Sequence, residues 1–279
     1  MSDVVVWGYS IPRDWLSQNE TLYLSGLPKT LPSVEWVWHE MDRVWQSFGL
    51  DNLRSLDGQP VGEFYSHPVW LMNGIFTAAH PVSSGHRDSI ARYVAQEQGE
   101  TIADYGGGFG ELALSIARHA PGAMVSIIEP FPSRVGIKRL KSESRINVCP
   151  VLVKDSYDFV IAQDVLEHVG DPIGLAGEIA GSVRVGGKVM FANCFYPVIM
   201  CHLPSTFYLR HTFVFVMKAM GLQYVGRVTG AEHALVFERV GAIDMESARR
   251  AEYFYRFAGP VLNFGRALQL SVARRVLSS

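Results

Sequence analysis

The chain has 279 residues, 48% of them hydrophobic, and a formal net charge of −2, which describes a soluble globular protein with one large core and room for a smaller attached unit. With no basic excess to attract a phosphate backbone, nucleic acid is excluded as the expected partner. Cys149, Cys194 and Cys201 are the only cysteines, too few and too irregularly spaced for a disulfide framework or a zinc knuckle, and as free thiols they fit a reducing compartment.

Residues 1–32 show little periodicity and carry Pro12, Pro28 and Pro32 as breakers. From Ser33 the spacing of Val34, Val37, Met41, Val44 and Phe48 predicts a helix, with Gly49 as its stop. All six tryptophans lie in the first seventy residues. They have two readings: they fasten this segment to the main domain, or they form a lid whose aromatic faces line a substrate pocket. Residues 49–62 read as loop. Phe64 to His80 mixes aromatic and polar residues, and Ser84 to Gln96 reads as the helix leading into the first strand of the main sheet.

The stretch Thr101-Ile-Ala-Asp104-Tyr-Gly106-Gly107-Gly108-Phe-Gly110-Glu111 is a short apolar strand, a glycine turn and the start of a helix. Glycines there permit positive φ and let a ligand approach bare main chain, and the helix beyond offers free N–H groups. A dinucleotide fingerprint would place a third glycine where Glu111 stands. A carboxylate so close to a pyrophosphate repels it, so NAD is disfavoured. The next strand, Met124 to Ile128, ends in Glu129, placed to accept both hydroxyls of a ribose. Pro130, Phe131 and Pro132 follow, Phe131 either stacking on an adenine edge or filling the strand-to-helix corner.

Farther on, Tyr157-Asp-Phe-Val-Ile-Ala-Gln163-Asp164-Val-Leu-Glu-His168-Val169 is a strand with the loop after it. Asp171-Pro172 opens a helix, and Val185-Gly-Gly-Lys-Val-Met-Phe191 is another strand. In this order and spacing the motifs, spread over residues 85–240, resemble the class I methyltransferases that depend on S-adenosyl-L-methionine (SAM). The resemblance implies an α/β fold, a Rossmann-like seven-stranded methyltransferase sheet with an antiparallel closing hairpin, plus an N-terminal helical lid and C-terminal helices. It divides the chain into a lid or substrate cap (1–84), a SAM-binding domain (85–242) and a helical extension (243–279). It also implies SAM as cofactor and S-adenosyl-L-homocysteine as product, held by Asp104, Gly106, Gly108, Gly110, Glu129, Pro130, Phe131, Gln163 and Asp164. Asp164 has a structural reading as well, as cap of the turn Val165–His168, and Asp158 reads as a pin for the strand start. The chain departs from the family between Ile146–Val153, the third strand, and the fourth. Only a few residues intervene, so the acidic contact to the adenine amino group is Asp155 or is missing.

Residues 64–80 and 193–211 resemble a bacterial group assigned as sugar O-methyltransferases, implying a saccharide acceptor lined by Tyr65, His67, Trp70, Asn193 and Tyr196. A sugar hydroxyl is too weakly acidic to ionise alone near pH 7, so a histidine base is expected. His168 and His202 are the best placed, with His233 behind them. His168 also has an architectural reading. No His-x-x-x-His, Cys-x-x-Cys or adjacent carboxylate pair stands at the strand ends, so no metal is expected. A C- or N-methyltransferase acting on a small metabolite and a non-catalytic SAM-binding partner subunit are the alternatives.

Gln223–Thr229 and Ala234–Val240 read as the closing strands, after a helix over His211–Met220. The tail reads as a helix from Asp244, broken at Gly259-Pro260, and a second helix, Val261 to Val276, with Arg266, Arg274 and Arg275 beside Leu262, Phe264, Leu268 and Leu270. Packing back on the domain is preferred for it over a homodimer contact or a weakly membrane-seeking surface. The Met-Ser-Asp start carries no signal pattern, and the longest apolar run, Val189 to Cys201, is too short to span a bilayer. A cytoplasmic location without stable membrane insertion is expected.

Overall fold

The computed structural model describes residues 3–54, 56 and 59–277, with side chains as far as residue 264. Strands β1 (Val4–Val6) and β2 (Tyr9–Ile11) form an antiparallel hairpin. Its central residues Trp7 and Gly8 both have positive φ, +49° and +84°, the turn geometry that matches strand twist. Helix α1 (Gln18–Ser25) opens on a reciprocal cap. Ser17 Oγ accepts the Glu20 N–H at 3.2 Å, and the Glu20 carboxylate accepts the Ser17 N–H at 2.7 Å. The predicted helix from Ser33 is α2 (Val34–Ser47), followed by Gly49 at φ +67°.

Helices α3 (Val61–Tyr65), α4 (Pro68–Ala79) and α5 (Pro81–Gln96) come next. The aromatic stretch 64–80 is thus divided at His67-Pro68, and the helix expected from Ser84 begins at Pro81. Each proline takes the first helical position, where its missing N–H costs nothing. The imidazole before it supplies the cap: His67 Nδ1 accepts the Val69 N–H at 3.0 Å, and His80 Nδ1 lies 3.4 Å from the Ser83 nitrogen. Trp45, Phe64, Val69 and Met72 are buried in a cluster that Phe109, Val135 and Cys201 join from later in the chain. Trp45 is a fastening residue, whereas Trp7, Trp15, Trp36 and Trp70 lie at the edge of the cluster.

The remaining strands are β3 (Thr101–Tyr105), β4 (Met124–Ile128), β5 (Ile146–Cys149), β6 (Tyr157–Gln163), β7 (Val183–Ala192), β8 (Leu222–Val228) and β9 (Ala231–Arg239). They form the expected sheet in the order β5-β4-β3-β6-β7-β9-β8, parallel through β7, with β9 antiparallel to both neighbours. Alternate residues serve opposite faces: Phe159 and Ile161 pack on one side of β6, Val160 and Ala162 on the other. Helices α6 (Glu111–His119), α7 (Arg134–Leu140), α8 (Pro172–Ser182) and α9 (Phe213–Ala219) connect the strands. Asp171 caps α8 through the Gly174 N–H at 2.9 Å. Asp158 pins β6 as expected, its Oδ2 accepting the N–H groups of Glu100 and Thr101.

Several boundaries move. β5 stops at Cys149 instead of Val153, and His233 lies within β9, not in a turn. The helix expected from His211 is preceded by a 3-10 turn over Pro204–Arg210. Helix α10 (Met245–Leu277) runs through Gly259-Pro260 without a break. An interior proline costs a helix about 3 kcal/mol, and here tertiary contacts bracket it. Buried Glu252 accepts from Tyr208 Oη at 2.8 Å and Arg256 Nη2 at 2.8 Å, and beyond the proline Asn263 Nδ2 donates to the Phe207 carbonyl at 3.0 Å. Gly259 is required, since a Cβ there would lie 2.5 Å from the Tyr208 carbonyl oxygen. The first turns of α10 therefore pack on the domain. Leu262 and Phe264 are exposed, so the expected packing of this part of the helix on the domain is not met at those two residues, and the expectations for Arg266, Leu268, Leu270, Arg274 and Arg275 lie outside the described side chains. Among the described residues no helix is long and apolar enough to cross a membrane.

Candidate active site

At the C-terminal end of β3 the chain turns through Gly106, Gly108 and Gly110 at φ +71°, +50° and +83°. Gly107 admits no side chain: a Cβ would stand 2.7 Å from Asp104 Oδ2 and 3.0 Å from Ile127 Cγ2. Asp104 is buried beneath this turn and accepts the Ala113 N–H, while its Oδ2 has no partner in the protein. Burial pushes its carboxyl up to about 7, with Arg87 opposing and Glu129 adding to the rise. At the tip of β4, Glu129 Oε2 accepts the Gly108 N–H at 2.9 Å and Oε1 accepts the Phe131 N–H at 3.0 Å. Each oxygen keeps a second lone pair for a ligand hydroxyl. The result is a bare main-chain cradle with an acidic lip, lying at the carboxyl ends of the strands where open α/β sheets bind ligands.

Beside it, β6 ends in Gln163 and Asp164, the latter exposed at φ +53°, with Gln163 Nε2 donating to Asp164 Oδ2 at 3.2 Å. Asp164 does not cap the turn Leu166–His168. Asn193 supports it instead, Oδ1 lying 3.4 Å from the Leu166 nitrogen while Nδ2 is buried without a partner. His168 Nδ1 lies 3.0 Å from the Cys201 carbonyl, and His202 Nδ1 lies 3.2 Å from the Tyr196 carbonyl. A carbonyl only accepts, so both Nδ1 atoms carry the proton and both Nε2 atoms present lone pairs. The rings stand 4.9 Å apart, edge to face. Burial, joined by the nearby His202, pushes His168 down to about 3, and burial lowers His202. Both imidazoles are therefore neutral near pH 7.

Glu167, between these groups, is fully buried. Its Oε1 accepts the Cys194 N–H at 2.7 Å, and its Oε2 has no partner. Burial and the neighbouring Asp164 charge push its carboxyl upward. Tyr65 stacks between Trp70 (5.1 Å) and Phe131 (5.7 Å). Tyr65 and Trp70 turn ring edges to His168 at 6.5 and 6.3 Å, and Trp70 Nε1 is buried with no partner. The loop after β7 is tied to the first helices: Asp42 Oδ1 accepts the Met200 N–H at 2.6 Å, and Asn52 Nδ2 donates to the Met200 carbonyl at 2.6 Å.

Residues 79–214 match the family model described as a methyltransferase domain. The chain carries a SAM-dependent methyltransferase domain. Among curated proteins it is similar to the ubiquinone biosynthesis O-methyltransferase of Aeromonas salmonicida (strain A449), 31% identical over 138 residues, 44% of this chain and 56% of that one. The enzyme of the same name from Serratia proteamaculans (strain 568) is 26% identical over 166 residues, 56% of this chain and 62% of that one. The chain thus spans less than two thirds of the length of these relatives. Among solved structures, an O-methyltransferase family protein from Burkholderia thailandensis aligns at a TM-score of 0.52 with 16% identity, over 74% of this chain and 70% of that one. Human N-acetylserotonin methyltransferase in complex with SAM aligns at 0.50 with 15% identity, over 74% and 67%. These likenesses establish the fold.

Several expectations change. Glu111 forms an ion pair with Arg139, whose guanidinium lies 4.4 Å from the Phe109 ring centroid. Its charge is compensated, and repulsion of a pyrophosphate by Glu111 no longer serves as an argument against NAD. Asp155 precedes β6, at the opposite end of the sheet from the cradle, and pairs with Arg239, so it is removed from the adenine position. His67 caps α4 with its ring against Tyr23 (5.3 Å) and Phe48 (5.9 Å), which gives it a structural task. Tyr196 contributes its carbonyl to His202 while the Arg210 guanidinium lies 4.7 Å from its ring centroid. The sequence reading passed over Glu167, Asp42 and Asn52. Glu167 stood beside His168 in the quoted motif, whereas Asp42 and Asn52 carry no local signal.

Proposed function

We propose that the chain transfers the methyl group of SAM to a hydroxyl of a small ring-bearing molecule, a saccharide being the first choice of acceptor. The observation that carries this reading is the pair of neutral imidazoles, His168 and His202, walled by Tyr65 and Trp70 directly beside the glycine cradle. When bound, SAM supplies a methyl group on a sulfonium sulfur, to which the acceptor oxygen bonds as the carbon–sulfur pair returns to sulfur. The lone pairs left on Glu129 receive the ribose hydroxyls, and the cradle's bare main chain admits the rest of the cofactor. An Nε2 lone pair of the imidazole pair acts on the acceptor hydroxyl, drawing off its proton as the new bond forms. The Tyr65 and Trp70 rings, with the unpartnered indole N–H, suit a ring that carries hydroxyls. A quinone-type ring is the second reading, favoured by the name of the curated relatives.

Calorimetric titration with SAM, S-adenosylhomocysteine and NAD tests the cofactor, with micromolar binding of the first two and none of NAD expected. Above Gly108 the nearest atom to an added Cβ is the Gly106 carbonyl oxygen at 3.8 Å, so Gly108→Arg extends into the cradle and not into the core. That variant should stay folded and lose SAM, and undiminished affinity would sink the cofactor assignment. Labelled methyl transfer to a panel of sugars and hydroxylated quinones then separates the two acceptors.

A further inference from the structure

We infer that Glu167, His168 and His202 form a binding site for one divalent transition-metal ion at the acceptor side of the cradle. Each offers one ligand atom, and these atoms lie within 4.8 Å of one another. The residues reach this point from the turn after β6 and the loop after β7. Ligand atoms around a tetrahedral ion with bonds of about 2.1 Å stand about 3.4 Å apart, so side-chain rotations of the order of 1 Å close the site.

Independent features of the cluster point to a cation. Glu167 is fully buried, yet its Oε2 has no hydrogen-bond partner, a costly state for a carboxylate oxygen that an ion relieves. Both imidazoles donate Nδ1–H to main-chain carbonyls, Cys201 at 3.0 Å and Tyr196 at 3.2 Å. This fixes the tautomer and leaves Nε2 of each ring as the free donor nitrogen, the outer-shell arrangement that orients metal-bound histidines. Nitrogen donors favour zinc, iron, cobalt or nickel over magnesium and calcium. Two nitrogens and a carboxylate leave coordination positions open, and Tyr65 and Trp70 bound the space beside His168.

The ion's role rests on the O-methyltransferase reading, although its binding does not. An acceptor hydroxyl in an open position becomes more acidic and releases its proton to solvent, so in the loaded protein the imidazoles hold the ion, and the deprotonation given to them in the ion-free site passes to it. The expectation of no metal rested on ligand spacing along the chain, and this site is assembled across it.

The test uses the full chain, stripped with chelator and titrated with Zn2+ and Co2+ by calorimetry and visible absorption. Expected is one equivalent bound, with Co2+ ligand-field bands, and affinity lowered by about 100-fold in each of Glu167→Gln and His202→Ala, the scale on which a lost metal-site partner is felt. SAM titration of the same variants confirms that the domain is folded, and it separates failure of the metal site from failure of the cofactor assignment. Absence of stoichiometric binding, or equal affinity in wild type and both variants, overturns the site. Equal turnover of stripped and loaded protein overturns the role.

Discussion

Gly106 is where the cradle touches the acceptor side, and its replacement by alanine can be worked through. Its φ of +71° is left-handed, and an added Cβ would lie 2.7 Å from Val165 Cγ2. A left-handed alanine costs about 1–2 kcal/mol. Carbon atoms prefer separations of about 3.5–4.0 Å, so the overlap is about 1 Å, and overpacking of that kind costs about 1–3 kcal/mol. Gly106→Ala should therefore lose about 2–5 kcal/mol in urea unfolding at an unchanged m-value. Gly186→Ala separates the contributions, because Gly186 has φ +85° with nothing within 4 Å of its added Cβ. It should lose only the backbone part, about 1–2 kcal/mol. In the double variant Gly106→Ala/Val165→Ala the clash is gone, and the two substitutions should cost less together than their sum. Val165 leads into Leu166-Glu167-His168, so the single variant should also shift the imidazole pair and weaken acceptor binding. The reasoning fails if Gly106→Ala costs no more than Gly186→Ala, or if Val165→Ala adds to the loss in full.

Asp42→Ala leaves the Met200 N–H without its acceptor, which should cost about 1–3 kcal/mol and raise the KM for the acceptor while SAM affinity holds; an unchanged KM would count against the tie. Asp104 and His168 give opposing pH dependences in the ligand-free protein. The Asp104 pKa of about 7 stands above its unfolded value near 3.9, so its contribution is full below about pH 4 and is lost as pH rises through 7, at up to about 1.4 kcal/mol per pH unit. The His168 pKa of about 3 stands below about 6.5, so its contribution is full above that pH and is lost as pH falls toward 3. Asp104→Asn removes the first slope alone, and the melting temperature of the variant should climb more steeply than wild type from pH 4 to 6.5. Parallel melting curves across that range would refute the buried-carboxylate account.

The parts of this protein written in contiguous residues were legible. The glycine turn, the acid at the end of β4, the helix start after Ser33 and the Asp171 cap follow from local chemistry, because caps and turns are settled within a few residues, while the arrangement of the sheet came with the family resemblance. The Trp7-Gly8 hairpin was missed because strands of three residues show no usable period, although the Ser17–Glu20 capping box was there to be read. Gly259-Pro260 misled because contacts to Phe207 and Tyr208 outweigh a local breaker. Asp155 misled for another reason: nearness along the chain does not say at which end of a sheet a residue falls. Glu167 carries no role legible along the chain, since the cluster it joins depends on His202, brought beside it by the path of the chain after β7.

Asp42, Asn52, Tyr65 and Trp70 all precede residue 79, where the methyltransferase match begins. On the proposed reading, one contiguous leading segment therefore supplies the aromatic rings and the anchors of the acceptor side, which it shares with His168 and His202, while the cradle comes from the matched stretch. That reading puts much of the choice of substrate in a different stretch of sequence from the supply of the methyl group. A leading segment of different composition, docked through the same Met200 contacts, would retarget the chemistry and leave the cofactor's seat untouched. Similarity to relatives across the core alone thus says little about what any one member modifies.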